Sequence, residues 1–196
     1  MRLHTTLCSF ANTRFVNTFA SIKSKMRLLS VCLGLMLTTF AHAQYVSIPD
    51  SNFGKWLNIN GLNSCLQGNS TIGWQMDTTC PTVLSRTKIL CINVGIHNLT
   101  GIAYFKTLDT LYCDNNTLDT LPLLPKTIKI LSCNHNNINT ITSLPDSLLL
   151  FSCSNNLLRV LPPLPARLNN FSCVLNQFTS LPALPSGLNY LDCSAN

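Results

Sequence analysis

The chain contains no glutamate, and its seven acidic residues are all aspartates. Paired-carboxylate chemistry therefore has few places to arise. No GxSxG, no HExxH and no phosphate-cradling glycine loop occurs, which removes the catalytic classes that those motifs mark. No CxxC pair occurs among the ten cysteines, so a common zinc-ligand spacing is missing, and neither a metal nor another cofactor is expected. No apolar run approaches the roughly 20 residues that a membrane-spanning helix needs; the run from Leu28 to Phe40 covers 13. The net charge of +6 invites a nucleic-acid reading, but its distribution opposes one. Residues 1–43 hold Arg2, Arg14, Lys23, Lys25 and Arg27 and no acid, while the rest of the chain sets eight Lys and Arg against seven Asp, a net of +1. No basic stripe remains there, so no nucleic-acid partner is expected.

Residues 1–43 read as a leader. From Met26 the order is a basic start, the apolar run, then Ala41-His42-Ala43, the arrangement of a secretory signal peptide with cleavage expected after Ala43. Residues 1–25 are basic, acid-free and rich in Ser and Thr; they fit either a transit peptide or an over-extended gene start with Met26 as initiator. The expectation is an exported chain, secreted or at the cell surface.

A strict internal period dominates the C-terminal half of the chain. Cys113, Cys133, Cys153, Cys173 and Cys193 are spaced by 20 residues without drift. Five residues before each stands Leu or Ile (Leu108 to Leu188), two before stands Leu or Phe (Leu111 to Leu191), and three after stands Asn116, Asn136, Asn156, Asn176 and Asn196. Leu118, Ile138, Leu158 and Phe178 continue each unit, and Pro125, Pro145, Pro165 and Pro185 close it. An irregular unit with Ile89, Cys91, Ile96 and Leu99 precedes these, 22 residues ahead, with Val94 in place of the asparagine.

The pattern LxxLxCxxNxLxxLPxLPxx resembles the leucine-rich-repeat family, in its short 20-residue bacterial subclass. The resemblance covers Leu108 to Asn196 closely. It implies an α/β-horseshoe-class solenoid with short parallel strands on the concave face, extended or polyproline-like returns on the convex face, and a small helical N-terminal cap. Physical chemistry agrees. Each unit offers about six apolar side chains worth roughly 1.5–3 kcal/mol apiece when buried, against about 1–2 kcal/mol of backbone entropy for each ordered residue. A lone unit loses; neighbours sharing a core and backbone pairing tip the balance. Proline in the return withholds an amide donor and fixes φ, so no helix is expected there.

Residues 44–85 are expected to form the cap, with Asp50 as N-cap of a helix carrying Phe53, Trp56 and Leu57, and residues 86–196 the repeats. The stretch IPDSNFGKWL resembles the cap region of secreted bacterial leucine-rich-repeat proteins; the calcium-like loop of such caps is not carried over, because Cys65 and Cys80 stand here instead. These two flank a polar loop, and in an exported chain a disulfide between them is expected. Cys113, Cys133, Cys153, Cys173 and Cys193 form, with Asn116, Asn136, Asn156 and Asn176, a structural ladder of free core thiols and turn amides. The chain stops midway through a unit, which suggests a piece of a longer protein.

Function is expected to be non-catalytic recognition of a protein or glycan through the concave face, the surface that leucine-rich repeats typically use. Candidate binding residues are Tyr112, Asp114, Lys129, Asn134, His135, Asn155 and Tyr190, and Leu149, Leu150, Val174 and Leu175 form a candidate apolar patch. Each of these also fits an ordinary solvated strand face. His135 beside Tyr112 and Asp114 imitates an acid–base group, but no nucleophile or second carboxylate accompanies it. Two alternatives stand: a structural surface spacer, and the substrate-selecting part of a longer enzyme. The LPxLP repeat is similar to that of enterobacterial effector ubiquitin ligases, which lack a cleaved signal peptide. The oligomeric state is left open.

Overall fold

Stacking the 20-residue units in register produces six short parallel strands: β4 (Lys88–Leu90), β5 (Thr110–Tyr112), β6 (Ile130–Ser132), β7 (Leu150–Ser152), β8 (Asn170–Ser172) and β9 (Tyr190–Asp192), each paired only with its sequence neighbours. The computed structural model describes residues 44–196; the expected leader, including Cys8 and Cys32, lies outside the described residues. Register follows the sequence frame without a slip. Ile89, Leu111, Leu131, Phe151, Phe171 and Leu191 lie side by side across the sheet. The first five are buried, and the rings of Phe151 and Phe171 stack with centroids 5.5 Å apart. Such columns arise because strand side chains alternate and parallel neighbours repeat at about 4.8 Å.

A second inward column runs Cys91, Cys113, Cys133, Cys153 and Cys173, all buried free thiols; Cys193 is free and exposed. Where the chain bends inward, the asparagines hold adjacent coils together. Asn136 Nδ2 donates to the carbonyls of Cys113 (3.0 Å) and Cys133 (3.1 Å), while its Oδ1 accepts from the Leu118 amide (3.0 Å). Asn156 repeats this with Cys133, Cys153 and Ile138, and Asn176 with Cys153, Cys173 and Leu158. Asn116 reaches back to the irregular unit, donating to the Cys91 carbonyl at 2.7 Å and accepting from the Val94 and Ile96 amides. Each buried amide thereby satisfies main-chain groups that the bend would otherwise strand.

The returns contain no helix and turn through Pro125, Pro145, Pro165 and Pro185, whose carbonyls accept from the residue three further on. Two devices tie the earlier returns together. Thr107 Oγ1 donates to the Leu84 carbonyl (2.7 Å), Thr127 Oγ1 to that of Leu108 (2.7 Å) and Ser147 Oγ to those of Lys126 (2.5 Å) and Ile128 (2.6 Å). A backbone bridge also joins Thr120 to Thr140. The next coils have Arg167 and Gly187 at the clasping position, so the hydroxyl clasp lapses, and among the described residues the isolated bridge does not extend past Thr140. Leu121 and Ile141 are each 5% exposed, whereas Leu161 and Leu181 are only half-buried.

The cap holds the expected helix, α1 (Ser51–Leu57), and beside it a three-stranded antiparallel sheet, in the order β1 (Tyr45–Ile48), β3 (Gly73–Asp77), β2 (Leu66–Asn69). The β2–β3 hairpin needs Gly68, which sits at φ +89° where a Cβ would collide with the Gly73 carbonyl oxygen. A short α2 (Pro81–Ser85) leads into β4. Cys65 and Cys80 are joined by a disulfide, Cα–Cα 5.6 Å. Asp50 fastens cap to solenoid: Oδ1 caps α1 through the Asn52 and Phe53 amides (2.8 Å each), and Oδ2 accepts from the His97 (2.6 Å) and Asn98 (3.0 Å) amides of the irregular unit.

Candidate functional site

With leucines and thiols turned inward, the residues between them face out from the strands in three columns. Counted from each cysteine, the position three before carries Lys88, Thr110, Ile130, Leu150, Asn170 and Tyr190. The position one before carries Leu90, Tyr112, Ser132, Ser152, Ser172 and Asp192. The position one after carries Ile92, Asp114, Asn134, Ser154, Val174 and Ser194.

Much of the polar chemistry in these columns is internal. Asp114 Oδ1 accepts from Ser132 Oγ (2.6 Å) and the Asn134 amide (2.7 Å) of the next coil. Asn134 Oδ1 does the same for Ser152 Oγ and the Ser154 amide, both at 2.7 Å. Ser154 Oγ lies 2.9 Å from Ser172 Oγ and accepts from the Val174 amide (3.1 Å). Asp192 turns to Ser194 instead, and the hydroxyl and amide of that serine hold its carboxyl below the usual range. The result is a polar ladder that caps β6, β7 and β8, each with a side chain of the coil before it.

The residues singled out from sequence separate accordingly. Tyr112 and Tyr190 lie on strands, half-buried and 50% exposed respectively, but four strand steps apart, about 19 Å. Asp114 and Asn134 belong to the ladder. Lys129 stands at the corner before β6, exposed, its carbonyl accepting from the Leu149 (2.8 Å) and Leu150 (3.0 Å) amides. His135 and Asn155 are not on strands; they occupy the left-handed corner after them, at φ 52° and 55°, a position filled in other coils by Asn93, Asn115, Leu175 and Ala195. That conformation suits asparagine and costs a branched residue such as leucine about 1–2 kcal/mol. The four apolar residues also part company: Leu149 directly precedes β7 and Leu150 begins it, whereas Val174 and Leu175 follow β8 at the opposite end of the strands.

Three apolar residues escaped the sequence reading. Leu90 (52% exposed), Ile92 (44% exposed) and half-buried Ile130 face outward. With Tyr112 and Leu150 they form a diagonal band, since Leu90 pairs in register with Tyr112, and Ile130 with Leu150. Counting from each cysteine finds them; the 22-residue step hides the first two.

The buried thiols offer no nucleophile at neutral pH. Burial pushes Cys91 up to about 12, and it raises Cys113 and Cys153 well above their usual value, with neighbouring thiols adding to the effect. The sulfurs of Cys91, Cys113 and Cys133 donate to carbonyls of the next coil, as Cys113 does to Ser132 at 3.3 Å. A protonated, buried thiol is neither a ready nucleophile nor a metal ligand. Among the described residues, no group of three or more His, Cys, Asp or Glu side chains is placed to hold a metal ion, and no helix is long and apolar enough to cross a membrane.

Comparison with solved structures places this architecture. The chain is similar to a Shigella effector leucine-rich-repeat domain, with a TM-score of 0.54 at 23% identity over 71% of this chain and 56% of that one. It is also similar to YopM from Yersinia enterocolitica, at 36% identity and a TM-score of 0.46 over 46% of this chain and 20% of that one. The chain thus spans just over half of the first structure's length and about a fifth of the second's. No protein-family model matches it, and neither does a curated protein. The fold is a leucine-rich-repeat solenoid: a parallel-strand sheet, with a small helix near the N-terminus of the described residues.

Proposed function

We propose that this chain is a non-catalytic recognition module, exported from a bacterium, that binds a partner protein through its concave strand surface. The observation that carries this reading is the diagonal band Leu90, Ile92, Tyr112, Ile130 and Leu150, apolar side chains facing outward from strands whose register is fixed. An exposed apolar band on a rigid frame favours association, because little conformational freedom is lost when it is covered. Aromatic anchors such as Tyr112 contribute disproportionately to such contacts. A glycan is the less supported ligand, because the hydroxyls of Ser132, Ser152, Ser154 and Ser172 already bond within the ladder. Export is supported by the leader sequence and by the Cys65–Cys80 disulfide, a bond that persists in oxidising compartments.

The test begins with a photo-crosslinking side chain at position 130, used to capture the partner, followed by affinity measurement. Tyr112→Ala and Ile130→Asp should each weaken binding at least tenfold, with thermal stability nearly unchanged. A captured partner whose affinity ignores both substitutions would remove the concave assignment.

A further inference from the structure

Val160 and Ser180 stand where Thr120 and Thr140 form their backbone bridge in earlier coils. Between the two returns that begin with them lies a cleft of about 490 Å³. Val160, Leu161 and Leu164 line one wall, and Leu181, Pro182 and Ala183 the other. Of the eight lining residues Ser180 alone is polar, and none is charged. Leu161, Leu164 and Leu181 are half-buried, whereas Leu121, Leu124 and Ile141, at the same positions of earlier returns, are buried.

One end of this cleft carries an unpaired cation. Arg159 directly precedes Val160 and is exposed. Its counterparts in the adjacent coils are Asn139 and Thr179, and the nearest acid in that column is Asp119, two coils away. Among the described residues the one close ion-pair contact is that of His97 with Asp50, so Arg159 meets no carboxylate of its own chain. Arg167, past the other end of the same wall, differs, because Asp146 adjoins its counterpart Ser147 in the coil before. We infer that the cleft binds a free straight-chain aliphatic carboxylate, with its chain laid along the groove and its head on the Arg159 guanidinium.

Volume, lining and charge each narrow the ligand. The volume is that of a small-molecule site, in which apolar walls are combined with a few polar anchors. A peptide in the groove would set main-chain donors and acceptors against leucine and proline side chains, and a sugar would do so with its hydroxyls; both lose solvation that a methylene chain never had. The walls are extended, and at about 3.1 Å per residue the stretch from Val160 to Leu164 spans roughly 12 Å. About ten carbons cover that length, since a zigzag of bonds about 1.5 Å long advances roughly 1.3 Å per bond. Pairing of a guanidinium with a carboxylate is bidentate and charge-assisted, and it fixes which end of the chain lies at Arg159. The site belongs to the returns and shares no residue with the strand columns, so it and the concave recognition surface stand or fall separately.

Titration of the isotope-labelled chain with sodium decanoate, followed residue by residue by NMR, tests this. Saturable shifts are expected at the amides of Leu161, Leu164, Leu181 and Ala183, with half-saturation below about 1 mM. Affinity should rise about twofold per methylene from hexanoate to decanoate, because an open groove shields the chain on one side only, and should level off by dodecanoate. Arg159→Gln should weaken decanoate at least tenfold, and Arg159→Glu should make decylammonium the tighter ligand. Ala183→Trp, which fills the groove, should remove the shifts at Leu161, while Arg167→Gln should change affinity less than threefold. Arg159, Arg167 and Ala183 are all exposed, so a thermal midpoint within a few degrees of the parent checks that each variant is folded. Absence of saturable shifts at these amides overturns the inference. So do an affinity indifferent to Arg159→Glu or Ala183→Trp, an equal loss on Arg167→Gln, a steady climb past decanoate, and binding to anionic phospholipid vesicles but not to the free carboxylate.

Discussion

On the strand side every coil is built alike, whereas on the return side the coils diverge after Thr140. The inward columns of cysteine and Leu or Phe, and the asparagine that follows them, repeat from the first regular coil to the last. The hydroxyl clasp and the Thr120–Thr140 bridge stop midway, and the apolar residues behind them become accessible. The two sides answer to different constraints. A change in a strand column disturbs the neighbouring coils, because the asparagines and the sulfurs of Cys91, Cys113 and Cys133 bond to the coil beside them. A change in a return disturbs one clasp and leaves the sheet intact. A repeat protein can therefore vary its returns, and its outward strand positions, on an unchanged frame.

Raising the pH should break the strand side first. Burial raises Cys91, Cys113, Cys133 and Cys153 in the folded chain, while unfolded thiols titrate near 8.5–9. The contribution of these thiols is fully present below about pH 9. Above it the unfolded state loses protons that the folded state keeps, so stability falls by about 1.4 kcal/mol per pH unit for each thiol. Circular dichroism should record cooperative unfolding between about pH 9 and 11, and a Cys113→Val/Cys133→Val variant should unfold at higher pH. A parent chain still folded at pH 11.5 would contradict the buried thiol column.

Truncation measures the same contrast. Phe151→Ala should cost about 4 kcal/mol by denaturant unfolding, because the ring is buried and stacked on Phe171. Leu161→Ala, in the open return, should cost only about 1–2 kcal/mol. Equal costs would erase the distinction between the two sides. The smallest effect is the most diagnostic of the clasp: Ser147→Ala should destabilise by about 1 kcal/mol, while Arg167→Thr, which restores the missing hydroxyl, should stabilise by about 0.5 kcal/mol.

The solenoid was legible in the sequence because one spacing, 20 residues, specifies both strand register and which side chains face inward. The helix of the cap was legible, because Asp50 and the spacing of Phe53, Trp56 and Leu57 carry local signals. The cap's antiparallel sheet depends on β2, which reads Leu-Gln-Gly-Asn and offers almost no periodicity, and on a glycine hairpin that only tertiary packing justifies. Within the candidate site, the outward columns followed from counting, but their use did not. Asp114 and Asn134 look like binding groups until their partners in the next coil are seen. His135 and Asn155 look like strand residues until the left-handed corner is seen. Leu90 and Ile92 escaped because the first coil step is two residues longer than the rest.

Site-resolved alkylation of the native chain, read by mass spectrometry, tests the stacked-coil account most directly. Cys113, Cys133 and Cys153 should resist iodoacetamide for as long as the chain stays folded, with Cys193 labelled promptly and Cys65 and Cys80 unlabelled until reduced. Labelling of the three central thiols at the rate of Cys193 would show that the coils do not enclose them.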